Sequence, residues 1–226
     1  MKPIQKDPNE SDFYMQLAKQ LAKPSGAEGI QIGLDMNTSN KSLFENTLVE
    51  LNPESEQYIL EIGPGNGKHV ASMLLNKKHI HYVGLDISET MVQEAQKNLE
   101  QYSYISKALF RHYNGETIPC DNNFFDSIFT INTIYFWKKP KEFLDELARV
   151  LKPNGKLLLC FGLKEYLEKM PFTEYGFTLY SQTDLENLVA QSQFKIKHFK
   201  VLQDSITQRD GNTYTREYAI VELGKK

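Results

Sequence analysis

Between Gln57 and Phe161, short apolar runs alternate with segments whose apolar residues recur at helical spacing. Tyr58-Ile59-Leu60-Glu61-Ile62 is a strand-length run that opens into the loop Gly63-Pro64-Gly65-Asn66-Gly67. A helix-like stretch from His69 to Asn76 follows, then the strand His81-Tyr82-Val83-Gly84-Leu85-Asp86. Met91, Ala95 and Leu99 fall on one face of the next segment, which predicts a helix over Glu89 to Leu99. Strand, helix, strand in that order is the unit that covers both faces of a parallel sheet. Further strands are expected near Ala108-Leu109-Phe110 and at Ser127-Ile128-Phe129-Thr130-Ile131. A helix from Lys141 to Val150 offers Phe143, Leu144, Leu147 and Val150 to the sheet, and the turn signal Lys152-Pro153-Asn154-Gly155 precedes the strand Lys156 to Phe161.

The two ends of the chain read differently. In the last third, a helix around Thr183 to Ala190 leads to strand-like runs at Phe194 to Leu202 and Tyr214 to Leu223. Asp210-Gly211-Asn212 near their junction favours a tight reversal, so the pair is expected to lie antiparallel at the sheet edge. At the start, Phe13, Leu17 and Leu21 share one face of a short helix that Pro24, Ser25, Gly26 and Gly29 are expected to break. A second short helix is expected from about Ser42, whose hydroxyl can cap free amides, to Leu51 before Pro53. The fold class is therefore α/β: a doubly wound, seven-stranded, mostly parallel sheet with an antiparallel edge strand and an N-terminal helical extension. Residues 1–43 form the extension or lid, and 44–226 the main domain.

Composition narrows the function classes. The 226 residues are 40% hydrophobic, enough for one buried core, and their formal net charge of -3 supplies no positive field for a phosphate backbone. Dedicated nucleic-acid binding is not expected. Cys120 and Cys160 are too few for a disulfide framework, which favours a reducing compartment. Lys2, Lys6, Asp7 and Glu10 stand where a signal peptide needs an apolar core, and no apolar run reaches the length of about 18 residues needed to span a bilayer. A cytoplasmic protein without a membrane segment is expected.

The chemistry concentrates around the glycine loop. Glycines at a strand-to-helix junction let a ligand approach the backbone closely, and Asp86, ending the next strand, can accept hydrogen bonds from two ribose hydroxyls. Together they indicate a cofactor containing a nucleoside. The dinucleotide pattern GxGxxG is not met, because Lys68 occupies its last position, and His69 after Gly67-Lys68 breaks the P-loop pattern.

With these residues in place, the chain resembles the class I S-adenosylmethionine-dependent methyltransferases, in their small-molecule branch. The resemblance runs from about Gln57 to Phe161 and rests on Ile59 to Gly67, Val83 to Ser88, Asn114 to Pro119, Phe124 to Ile128 and Val150 to Lys156. It implies that Gly63, Gly65 and Gly67 lie along the methionyl part of the cofactor, that Glu61 reaches toward its ammonium end, and that Asp86 holds the ribose. It also implies that Ile87 flanks the adenine, that Asn114, Gly115 and Glu116 border the adenine amine, and that Asn132 lies near both cofactor and acceptor. The family commonly has an aspartate where this chain has Asn114, so a carboxylate contact becomes an amide contact.

The implied reaction is in-line transfer of a methyl group from S-adenosylmethionine to a small-molecule acceptor. Such a transfer needs alignment and a dry pocket more than a covalent catalyst, and no catalytic residue stands out. Tyr135, His112 and Glu174 are loose candidates for a base. Tyr135, Phe136 and Trp137 can wall an acceptor site or simply pack. Tyr14, Gly33, Met36, Asn37 and Asn40 can cover it, and Glu174, Tyr175 and Tyr180 can add specificity. His79 and His81 do not complete a metal site. A noncatalytic nucleoside-binding or protein-interaction domain is the alternative of a different class, and a nicotinamide-dependent oxidoreductase is the enzymatic one.

Overall fold

The computed structural model describes residues 8–75, 79–100, 108–207 and 213–226. Seven strands form one sheet: β1 (Tyr58–Ile62), β2 (His81–Asp86), β3 (Ala108–His112), β4 (Phe125–Ile131), β5 (Leu151–Gly162), β6 (Phe194–Thr207) and β7 (Thr213–Lys225). Their order is β3-β2-β1-β4-β5-β7-β6, with β3, β2, β1, β4 and β5 mutually parallel. β7 runs antiparallel between β5 and β6, so the reversed strand lies one place inside the edge and β6 forms the edge. The reversal expected at Asp210-Gly211-Asn212 lies outside the described residues. Lys195, Lys197 and Lys200 are exposed along β6, and charges of this kind discourage a further strand from pairing there.

Helices cover both faces of the sheet. α6 (Pro140–Val150) and α8 (Gln182–Ala190) bury Phe143, Leu144, Leu147, Leu185 and Val189 on one face, where β1 contributes Leu60 and Ile62. α3 (Lys41–Leu51), α4 (Val70–Leu75) and α5 (Glu89–Glu100) cover the other face, against Ile59, Tyr82, Phe129 and Leu158. Side chains alternate along a strand. Glu61 therefore shares the face of Ile59, and Asp86 that of Tyr82. α7 (Lys164–Leu167) is a single turn after β5.

Two local expectations are corrected. Lys152-Pro153-Asn154-Gly155 does not separate β5 from the preceding helix but lies inside the strand, where the register with β4 jumps between Phe125↔Leu151 and Ser127↔Lys156. Gly155 permits that irregularity, since a Cβ there would come 2.8 Å from the Asp126 carbonyl oxygen. Residues 26 to 39, expected as broken chain, form the helix α2 (Gly26–Ser39) after α1 (Pro8–Ala22). A glycine inside a helix costs up to about 1 kcal/mol, and close packing offsets that here. A Cβ on Gly29 would lie 2.6 Å from the Pro24 carbonyl carbon, and one on Gly33 would lie 2.9 Å from Met91 Sδ of α5.

α3 begins at Lys41, ahead of the expected helix start at Ser42 and across the expected 43/44 boundary. Ser42 does not cap it. Its hydroxyl donates to Asp204, which also receives Arg216 Nε at 3.0 Å and Nη2 at 2.6 Å. Arg216 Nη2 donates to the Ser39 carbonyl at 2.9 Å as well, so a buried ion pair of the β6–β7 hairpin closes the end of α2.

Candidate active site

β1, β2 and β4 end at one rim, and there a cleft of about 690 Å³ lies between the sheet and helices α1 to α3. Ligands of open parallel sheets gather at this end of the strands. Among the residues expected at the site, Glu61, Gly63, Gly65, Asp86, Ile87, Gly115 and Asn132 line the cleft.

The loop after β1 uses its glycines in three different ways. All three have positive φ, at 72° for Gly63, 58° for Gly65 and 62° for Gly67. A Cβ on Gly65 would meet nothing within 4 Å, so this residue leaves open space on the cleft side. A Cβ on Gly63 would lie 2.4 Å from Thr133 Cγ2. A Cβ on Gly67 would lie 2.7 Å from Phe110 Cζ, and Gly67 does not line the cleft. Its role is to let the loop press onto the core.

Asp86 is buried at the end of β2. One carboxyl oxygen accepts the Ser88 N–H at 2.8 Å, and the other accepts the Gly65 N–H at 3.0 Å. Burial raises its pKa to about 6, and these two donors oppose the rise without cancelling it. The ionised carboxylate is therefore short of donors in the cleft, a need that a vicinal diol meets with two hydroxyls. Ile87 and Gly115 close in beside it, with a Cβ on Gly115 falling 3.0 Å from Ile87 Cγ2.

Glu61, only 1% exposed, is held from two sides. Tyr82 donates its hydroxyl to Oε2 at 2.5 Å, and His69 Nε2 lies 2.9 Å from Oε2 and 3.1 Å from Oε1. Burial first, and the adjoining Glu61 second, push the Tyr82 phenol well above its ordinary range, which keeps the donor's proton in place.

Asn132 occupies the left-handed region at φ 57°, immediately after β4. Its Nδ2 donates to Asn40 Oδ1 at 3.1 Å, and its Oδ1 accepts the Tyr135 hydroxyl at 3.0 Å. The Gly162 N–H donates back to the Tyr135 oxygen at 2.5 Å. Asn132 thus links the α2–α3 junction to the ends of β4 and β5. Trp137 and Phe136 line the cleft, and the indole N–H donates to Thr133 Oγ1 at 3.2 Å.

Other expected residues fall elsewhere. Asn114 and Glu116 are exposed and do not line the cleft. The Asn114 side-chain carbonyl accepts the Glu116 and Thr117 N–H groups at 2.9 and 2.8 Å, forming a local turn. Tyr135 and Tyr180 are buried away from the cleft wall, and Tyr14 lies outside its lining. His112 Nε2 lies 3.1 Å from the Ile87 carbonyl oxygen, and neither His112 nor Glu174 lines the cleft. Gly33, Met36, Asn37 and Asn40 do line it. Sequence reading missed Phe44, His69 and Met91, all on the lining, because each also fits an ordinary helical pattern. Among the described residues, no cluster of three or more His, Cys, Asp or Glu could hold a metal ion.

This geometry coincides with a sequence match: residues 60–159 fit the methyltransferase domain family. This stretch of the chain is similar to the methyltransferase domains. The chain is 28% identical over 135 residues to an uncharacterized methyltransferase of Bacillus subtilis (strain 168), covering 59% of this chain and 71% of that protein. It is 29% identical over 162 residues to the ubiquinone/menaquinone biosynthesis C-methyltransferase of Wigglesworthia glossinidia brevipalpis, covering 69% of this chain and 63% of that one. The matched part of the chain thus spans less than two thirds of the second relative. The fold matches a SAM-dependent methyltransferase from Aquifex aeolicus with a TM-score of 0.63 at 20% identity, over 92% of this chain and 97% of the other. The methyltransferase cofactor fits the residues present: Gly65 leaves room beside the loop, and Asp86 lacks donors that a ribose supplies.

Proposed function

We propose that the protein methylates a small organic molecule, with α1 and α2 acting as the lid over the site. The observation that carries this reading is the single cleft wall shared by Asp86, the glycine loop and the apolar side chains Phe44, Phe136 and Trp137. A volume of about 690 Å³ fits one nucleoside cofactor and a compact acceptor. Bound in the cleft, S-adenosylmethionine supplies a methyl group on a positively charged sulfur. In this reading Asp86 holds the ribose, Ile87 and Gly115 hold the base, and Glu61 receives the ammonium. Asn132 fixes the floor beneath the acceptor while Phe136 and Trp137 exclude water from it. Gly67 supports the site through packing, and no residue is assigned a proton-transfer role.

The Wigglesworthia relative is named a C-methyltransferase and the Bacillus relative's name specifies no methylated atom, so the acceptor assay identifies that atom. The cytoplasm is the compartment we assign, because both cysteines are free thiols. Among the described residues no helix is long and apolar enough to cross a membrane.

Calorimetry with S-adenosylmethionine, S-adenosylhomocysteine and nicotinamide dinucleotides tests the cofactor, with tight binding of the adenosyl pair alone expected. Nicotinamide binding would favour an oxidoreductase. An acceptor panel scored for S-adenosylhomocysteine release and a one-methyl mass gain tests the transfer. Turnover only on intact proteins or nucleic acids would overturn the small-molecule reading.

A further inference from the structure

We propose that His69 is a positioning residue for the amino-acid end of the cofactor, acting through Glu61. The inference rests on the reading of Glu61 as the partner of the cofactor's ammonium. Glu61 extends from β1 toward the cleft with several rotatable bonds, and burial at 1% exposure leaves its carboxyl dependent on protein donors for orientation. Tyr82 fixes Oε2 from the β2 side. That one bond leaves the carboxyl plane free to rotate about it. His69 Nε2 bridges both oxygens, at 2.9 and 3.1 Å, and so fixes the plane as well.

The imidazole is held in turn. Its ring lies 4.4 Å, centroid to centroid, from Phe44 of α3 at an interplanar angle of 50°. The backbone places it between Gly67 and the first residue of α4, where the Val70 N–H donates to the Gly67 carbonyl at 3.0 Å. His69 therefore joins three parts of the site: the turn after the glycine loop, the buried carboxyl of β1, and the helix that roofs the cleft. A carboxylate held by two donors meets an incoming ammonium with less loss of freedom than a mobile one, which raises affinity without any new contact to the ligand.

A merely structural role and a positioning role differ in which ligands notice the residue. S-adenosylhomocysteine carries the ammonium, whereas 5′-methylthioadenosine keeps the adenosine and sulfur but lacks the amino-acid end. Calorimetry of both ligands with His69→Ala, His69→Gln and Glu61→Gln forms the test, with melting temperature recorded for each protein. His69→Ala is expected to weaken S-adenosylhomocysteine about tenfold, the scale of one charge-assisted hydrogen bond, and methylthioadenosine less than about twofold. His69→Gln, whose amide can donate to the same carboxyl, should recover most of the loss. Adding His69→Ala to Glu61→Gln should cost no further affinity, because the residue acts through that carboxyl. Should His69→Ala fail to fold, His69→Phe keeps the ring contact with Phe44 and removes the donor. Equal weakening of both ligands, or no weakening of either, overturns the proposal. If Glu61→Gln itself fails to distinguish the two ligands, the reading of Glu61 fails first and is recognised as the cause.

Discussion

The floor and the roof of the cleft are built by different means. The floor is formed by strand ends and backbone groups: Gly63 and Gly65 at positive φ, the Gly65 N–H on Asp86, and Asn132 in the left-handed region. The roof is formed by helices whose hold on the sheet is made by side chains from distant parts of the sequence. Ser88 Oγ donates to the Pro24 carbonyl at 2.5 Å, Asn132 to Asn40, and Arg216 to Ser39. A floor of backbone groups is stiff because the sheet fixes it, whereas α2, held by contacts such as these, can be released one contact at a time. The cleft thus pairs a rigid cofactor bed with a separable cover.

Arg216→Ala is expected to have the largest effect and to fall on the roof. It leaves the mostly buried Asp204 without its cation, and breaking a buried pair costs about 3 to 5 kcal/mol. Hydrogen exchange should rise in α2 and α3 more than in β1 and β4. Equal exposure of both regions would show that floor and roof open together, and would remove the distinction.

Asp86→Ala tests the floor. Losing a carboxylate that accepts two ribose hydroxyls should weaken cofactor binding about a hundredfold, measured by calorimetry, with exchange in α2 unchanged. Unchanged affinity would displace the ribose from this position.

Asn132 belongs to both regions. Asn132→Gly keeps the left-handed backbone and removes the bond to Asn40, whereas Asn132→Ala adds a backbone penalty of about 1 to 2 kcal/mol. A lower melting temperature for alanine than for glycine is expected. Similar values would mean that the link to the roof, rather than the backbone, dominates.

The floor also carries a pH dependence. Because burial raises the folded Asp86 carboxyl to about 6, its ionised form is the costly one, and the free protein loses stability as pH rises from the unfolded value through 6. Ribose hydroxyls donate to the ionised form. Cofactor affinity should therefore be full above pH 6 and fall by up to about tenfold per pH unit below it. A flat affinity between pH 5 and 7, that is about one unit either side of the raised value, would contradict this. The smallest effect is expected for Gly33→Ala, which pushes against the flexible end of Met91 and should cost under about 1 kcal/mol by thermal melting.

The floor was legible in the sequence, whereas of the roof helices α1 and α3 were expected and α2 was not. Tyr58 to Ile62, the glycine loop and His81 to Asp86 are local patterns with the spacing of strand, turn and strand, and the structure keeps their bounds. Gly26 and Gly29 carry the local signature of broken chain, yet α2 starts at Gly26 and runs through Gly29, where Pro24 packs in the place of a side chain. Asn114 matched a motif in sequence, but its amide was taken by two neighbouring N–H groups. His69 looked like the residue that spoiled a phosphate loop, and folding set it against Glu61.

By itself, the sequence determined the alternation of strands and helices, the turn that needs glycine, and the acid at the end of β2. These depend on backbone preferences and on periodicities that act over a few residues. Tertiary structure alone decided which side chains face the cleft, how Glu61 is held, and how the N-terminal helices are pinned over the sheet. Those outcomes depend on contacts such as Ser39 with Arg216, whose partners come together only when the chain has closed around its core.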